Sequence, residues 1–373
     1  MRIISYKAAL VALLALGFIP LQAALGAARL QVVAFGDSLL DAGTYSPFAE
    51  PTFGGGRFTT NPGLNFTQDV AHHYGDSLTP AFLGGFGIPL FPAGGLDYAQ
   101  GGSRVTMQPG IGHAPVGVPD FAEATTIPIR DQVNAYLSAH GGFTSGQLVL
   151  INGGANDVIF RLTAAQVAGF TAVALQTAEA EIGQSAIDLA SIVATLIENG
   201  ATHVAVMNLP DIGNTPLGVS STIPGFSQLL TTISQDFNTT LAAALKQQIS
   251  VGKVILIDAF SFIDGVIASP QTYGFSVANS GPLNTPYNGM ACNLEAQVKR
   301  AQQLGLPDPA GFAQALFCSP KTYWTYDADR TFMFADMIHP TTHLNALFAQ
   351  VVEQKIAQKR WGWEFSEPTV AAR

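Results

Sequence analysis

Leu30-Gln31-Val32-Val33-Ala34-Phe35-Gly36-Asp37-Ser38-Leu39-Leu40-Asp41 opens as an apolar, β-rich run and stops abruptly in small and polar residues. The same design recurs three times. Leu148-Val149-Leu150-Ile151 ends at Asn152-Gly153-Gly154, His203-Val204-Ala205-Val206-Met207 ends at Asn208-Leu209-Pro210, and Lys253-Val254-Ile255-Leu256-Ile257 ends at Asp258. Near-continuous apolar runs of this length suit strands covered on both faces, as in a parallel sheet. Helical spacing fills the gaps over residues 164–199, 226–249 and 342–359, and Gly200 supplies a stop for the first of these. Such alternation predicts an α/β fold, a three-layer α/β/α sandwich with a mainly parallel sheet. Ligands of such sheets bind beyond the carboxyl ends of the strands, where the unusual residues of this chain stand. Residues 44–128 and 261–330 break the rhythm and are expected to be long loops that wall a substrate site.

The first residues stand outside this pattern. Arg2 and Lys7 accompany an apolar run that reaches Phe18, and small residues follow between Ala23 and Ala28. A basic region, an apolar region and a small-residue exit predict a secretory signal peptide over residues 1–28. The alternative is a membrane anchor, but the run is shorter than the ~20 residues a spanning helix needs, and Pro20 and Gln22 follow it. The processed chain is expected in the periplasm or outside the cell, without a stable membrane span. Residues 29–373 are expected to form a single domain, because no charged or low-complexity linker divides them.

Charged residues make up 12% of the chain, about half the usual share. The formal charge is −9, about −11 without Arg2 and Lys7, and no basic cluster could hold a phosphate backbone. This argues against nucleic acid as a partner. Cys292 and Cys318 are the two cysteines, and in an exported chain they are expected to pair across a loop of about 25 residues. The alternative is two buried thiols.

Ser38 directly follows the first strand, at the sheet's carboxyl edge, where a helix is expected to begin. Free N–H groups and the positive end of a helix dipole would suit a developing oxyanion there. A serine that only caps a helix is the competing explanation. Gly75-Asp76-Ser77-Leu78 repeats the four letters of residues 36–39, but Ala71-His72-His73-Tyr74 before it is no apolar strand, so Ser77 is expected in a loop. No Gly-x-Ser-x-Gly elbow occurs.

In Asp336-Met337-Ile338-His339-Pro340, an aspartate three residues before a histidine can reach Nδ1 and leave Nε2 free to take a serine proton. A surface Asp–His pair is the plain alternative. His343 stands four residues beyond His339, a metal-like spacing, but no glutamate follows His339 and Pro340 disturbs the shared face. Asn156, in Gly153-Gly154-Ala155-Asn156-Asp157, follows the second strand and can aim a side-chain N–H at a carbonyl oxygen, or serve as a turn residue. Tyr98-Ala99-Gln100-Gly101-Gly102-Ser103 is expected to end a fifth strand and to bring a glycine N–H near a substrate.

In this chain order the blocks resemble the GDSL family of lipases and esterases, also called SGNH hydrolases. Asn208-Leu209-Pro210-Asp211-Ile212-Gly213 and Phe237-Asn238 extend the resemblance over nearly the whole chain beyond residue 28. It implies a flavodoxin-like sandwich, Ser38 as nucleophile, His339 as base and Asp336 as its orienting partner. It implies an oxyanion hole made by the Ser38 N–H, the Gly102 N–H and the Asn156 side chain, with Gly101 the less favoured second donor. It implies no metal or organic cofactor. One departure stands out: the family often has asparagine where this chain has Asp97.

The expected activity is hydrolysis of small-molecule or lipid carboxylic esters through an acyl-enzyme on Ser38. Phe48, Phe53, Phe58, Phe82, Phe86 and Phe91 are expected either as an apolar acyl wall or as loop core. Other readings are a carbohydrate O-acetylesterase, a phospholipase or acyltransferase, and, from a different class, a binding module with a dead site.

Overall fold

The computed structural model describes residues 30–114, 117–119, 122–280 and 288–361; the expected signal peptide lies outside them. The strands are β1 (Gln31–Phe35), β2 (Phe82–Gly85), β3 (Ile88–Pro92), β4 (Gln147–Ile151), β5 (His203–Met207) and β6 (Val254–Ile257). β1, β4, β5 and β6 form one parallel sheet in that order. β2 and β3 make a separate antiparallel hairpin inside the segment expected to be loop. On the free edge of β1, Ala34 donates its N–H to Leu96 O (3.0 Å), and Tyr98 and Gln100 donate to Ala34 O (2.9 Å) and Gly36 O (3.2 Å). This ladder, centred on a parallel bridge between Ala34 and Asp97, is what becomes of the expected fifth strand. With it, the chain-order pattern across the sheet is 2-1-3-4-5, the flavodoxin-like order.

Alternate residues of each strand supply the two faces of the sheet. Val33, Phe35, Val149, Ile151, Val204 and Val206 pack on α3 (Ile129–His140), α4 (Ala155–Val167), α5 (Ala172–Glu198) and the helix Phe226–Ala244. Val32, Ala34, Leu148, Leu150, Ala205, Met207, Ile255 and Ile257 pack on α2 (Phe66–His73) and the helix Thr342–Gln358. The result is the three-layer α/β/α sandwich.

Two local expectations fail for identifiable reasons. The helix expected over 164–199 is broken, because Gly169 and Phe170 take left-handed backbone (φ 71° and 50°) and the Thr171 hydroxyl caps a new helix at Ala174 N. No helix starts at Ser38 either. Asp41 N donates to Asp37 O (3.2 Å), closing a single turn. Asp41 then turns the chain aside by accepting from the amides of Gly43 (2.9 Å), Thr44 (2.7 Å) and Gly101 (2.9 Å). The first helix is α1 (Ser46–Phe53) instead.

The long segments pack beside the sheet's carboxyl edge. Phe53 of α1, Phe58, Phe312 and Phe317 are buried in one aromatic cluster, with Phe48 and Phe86 packed against it. Cys292 and Cys318 are joined by a disulfide, and both are fully buried. That bridge closes the loop carrying Ala315, Phe312 and Phe317, and loop closure of this length contributes about 3 kcal/mol. Replacing both cysteines by alanine is therefore expected to lower the urea midpoint by the equivalent of about 3 kcal/mol. An unchanged midpoint would show that the loop is held by its packing alone.

Candidate active site

The backbone that presents Ser38 is fixed before the serine is reached. Gln132 of α3 accepts from Gly36 N (2.8 Å) and donates back to Gly36 O (2.8 Å). Asn152, the first residue after β4, donates to Asp37 Oδ1 (2.9 Å) and accepts from Asp37 N (3.2 Å). A Cβ on residue 36 would lie 2.0 Å from the Asn152 side-chain oxygen, so this approach requires glycine. Asp37 Oδ1 also takes the N–H of Leu39 (3.1 Å). Burial pushes the Asp37 carboxyl above its ordinary range, and the Asn152 and Leu39 donors offset this in part.

Residues 335–339 form a tight loop closed by Ala335 N donating to His339 O (2.7 Å). Asp336 Oδ1 accepts from the backbone of Ile338 (2.9 Å) and His339 (2.8 Å). Its Oδ2 accepts from Ala315 N (2.6 Å) and lies 2.7 Å from His339 Nδ1. Burial by itself raises the Asp336 carboxyl, yet the imidazole of His339 and these backbone donors together hold it below its ordinary value. His339 Nε2 is 2.8 Å from Ser38 Oγ. The Phe58 ring, 5.1 Å from the imidazole by centroids, packs against the other side of it.

Three possible oxyanion donors converge here. Among the described residues, neither Ser38 N nor Gly102 N donates to a protein acceptor. Gly101 N is taken by Asp41, which leaves Gly102 as the available amide of that pair. Gly102 has φ 84°, and a Cβ there would meet Ile111 O at 2.1 Å. Asn156, near the start of α4, gives one amide hydrogen to Ser103 O (2.9 Å) and keeps a second. Ser38, Gly102, Asn156 and His339 all border one cavity of about 150 Å³.

The sequence profile of the GDSL-like lipase/acylhydrolase family matches residues 32–352. The chain belongs to that family. It is also similar to a GDSL esterase/lipase, APG of Arabidopsis thaliana, at 27% identity over 158 residues. That match takes in 40% of this chain and spans 38% of the relative's length.

Within this GDSL-like chain, the six loop phenylalanines separate into three that border the cavity, two that pack in the interior and one, Phe91, that does neither. Phe48, Phe58 and Phe86 line the cavity. Phe53 is core, Phe82 packs edge-on against Tyr98, and Phe91 is 44% exposed. Ser77 lies in an exposed loop, as its missing strand predicted. His343 Nε2 is 2.8 Å from Tyr273 O and takes no part in the site.

Arg104 lies outside every sequence block and Asp157 closes one of them, yet together they brace the GDSL-like site. Arg104 Nε meets Asp157 Oδ1 at 3.0 Å, with both side chains buried, and the guanidinium lies 4.4 Å over the Phe160 ring. Asp157 also accepts from Val105 N (3.0 Å) and Ser185 Oγ (3.1 Å). The glycine loop is thereby tied to the helix that bears Asn156. Arg104→Met is expected to cost about 3–5 kcal/mol, because it strands a buried carboxylate, and Arg104→Met with Asp157→Leu to recover most of that. Urea unfolding of the single and double variants checks this, and additive losses would contradict the pairing.

The lowered carboxyl of Asp336 sets a pH dependence. A carboxylate below its unfolded value of 3.8 contributes stability that is fully present above that value and is lost as pH falls through the folded one. The stability gap between wild type and Asp336→Asn is expected to be widest above this window and to shrink on acidification below it. Denaturant midpoints measured across acid pH test the sign.

Proposed function

We propose that this protein is a serine-dependent carboxylic ester hydrolase, in which residues 29–373 act as one exported catalytic unit. The reading rests on the alignment of Ser38 Oγ, His339 Nε2 and Nδ1, and Asp336 Oδ2 through contacts of 2.8 and 2.7 Å beside the amides of Ser38 and Gly102 and the side chain of Asn156. His339 takes the Ser38 proton as Oγ attacks the ester carbonyl, and Asp336 keeps the imidazole in the tautomer with Nε2 free. The tetrahedral oxyanion is met by the three donors, each worth roughly 3 kcal/mol in such a site. His339 then protonates the departing alcohol. Water, deprotonated by the same imidazole, releases the acid and restores Ser38.

The cavity supports acyl groups of short-chain or single-ring size, since a space of about 150 Å³ is of the scale that holds benzene. Among the described residues its lining carries Glu123 and Asp308 and no lysine or arginine, which disfavours phosphate-bearing head groups. Neither Trp324 nor Trp361 borders it, so the tryptophan stacking that would favour a carbohydrate acetylesterase is missing among the described residues; Trp363 lies outside them. The disulfide accords with export to an oxidising compartment.

Hydrolysis of a chain-length series of p-nitrophenyl esters tests the proposal. Ser38→Ala is expected to fall by about three orders of magnitude or more. Asn156→Ala is expected to lose about 10²–10³ in kcat with little change in KM. A Ser38→Ala protein as active as wild type would remove the assignment.

A further inference from the structure

α4 leaves the site at Asn156, buries Ala155, Val158, Leu162 and Ala165 in the core, and pairs along its length with α5. Two cross-links show this: Asp157 meets Ser185 Oγ at 3.1 Å, and Arg161 pairs with Glu181 at 2.9 Å, so α5 returns antiparallel to α4. The second half of α5 is heavily buried, with Ala186, Leu189, Ala190, Ile192, Val193 and Leu196 in the core, whereas its first half buries only Ala178 and Ile182. At 1.5 Å per residue, the hairpin tip stands about 16 Å along the helix axis beyond Asn156.

Phe170, Ala174 and Leu175 pack the tip onto the core, and its outermost apolar side chains are left in solvent. Val167 is 87% exposed and Val173 is 74% exposed, and residues 162–178 contain no ionisable side chain. Facing it, residues 212–235 also contain none. Between the two banks runs an open groove of about 450 Å³, bordered by Ile159, Leu162, Ile223, Phe226 and Met337. Met337 lies within the loop that carries Asp336 and His339, so the groove adjoins the reactive centre. Among the described residues α5 is the one helix long and apolar enough to cross a membrane, yet only 44% of its most apolar stretch is buried.

We infer that the α4–α5 hairpin and this groove form a docking surface for an uncharged lipid–water interface. The proposal rests on the ester-hydrolase reading for its purpose, since an interface held at this rim would deliver ester substrate to Ser38. Charge selects the occupant. In a chain of formal charge −9, two long neutral segments meet at one rim, which suits a surface without net charge and not an anionic one. Exposed apolar side chains clustered at one end of a helix pair are the means by which proteins lie on such an interface.

Co-sedimentation with phosphatidylcholine vesicles tests this, using Ser38→Ala protein so that turnover plays no part. The comparison is Ser38→Ala carrying Val167→Lys and Val173→Glu, a pair that leaves net charge unchanged and puts each charge at the helix end that favours it. Binding by the first protein, weakened about tenfold or more in the second, supports the inference. The same two substitutions in the active chain are expected to leave hydrolysis of a soluble short ester within about twofold of wild type. No vesicle binding, or equal binding by both proteins, overturns the inference. A concentration-dependent dimer that the substitutions abolish overturns it too, by assigning the surface to a second copy. Ester hydrolysis that survives Ser38→Ala would instead overturn the assignment of the nucleophile and leave the vesicle result standing.

Discussion

The seating of one carboxylate governs the rest of the site. Asp336 is buried, and a buried carboxylate is tolerated only when its oxygens are satisfied. Its own loop supplies the amides of Ile338 and His339, and the disulfide-bounded loop supplies the amide of Ala315. Only the imidazole remains, and it can then point one way. With Nδ1 held, Nε2 faces Ser38, whose position is fixed independently by Gln132 and Asn152 acting on the two residues before it. The site is thus two rigid supports that meet at one hydrogen bond.

What could be read in the sequence follows how local each cause is. The four parallel strands were legible because burial on both faces leaves an unbroken apolar run. Asp336 and His339 were legible because their contact closes within one turn. The preference for Gly102 over Gly101 came with the family resemblance alone; the contact that engages the Gly101 N–H is made by Asp41, sixty residues earlier in the chain. The pairing of Arg104 with Asp157 is not legible for the same reason, although Asp157 stands in one of the sequence blocks: it spans 53 residues and has no periodicity to betray it. The single turn at Ser38 was misread as a helix start, because nothing in residues 37–41 announces that Asp41 will spend its oxygens on three amides elsewhere.

Asp97 shows how a small departure from a family's habit acquires a physical cost. Its two oxygens accept from the amides of Ala42 and Ala99, a task for which an asparagine has one acceptor atom too few. Burial, with Asp41 nearby, pushes this carboxyl well above its ordinary range, and the two amide donors offset only part of that. The chain accepts the cost where the segments leading to Ser38 and to Gly102 cross. Their separation is held there by acceptors that bind backbone and not side chain.

The serine and the histidine that meet in this site lie 301 residues apart in the chain. A nascent polypeptide therefore emerges with its hydroxyl 301 residues ahead of its imidazole. No amino-terminal fragment ending before His339, however well its sheet has formed, contains both members of that hydrogen bond. The pair can form only after residue 339 has been added, and the growing chain carries the hydroxyl of residue 38 without that partner until then.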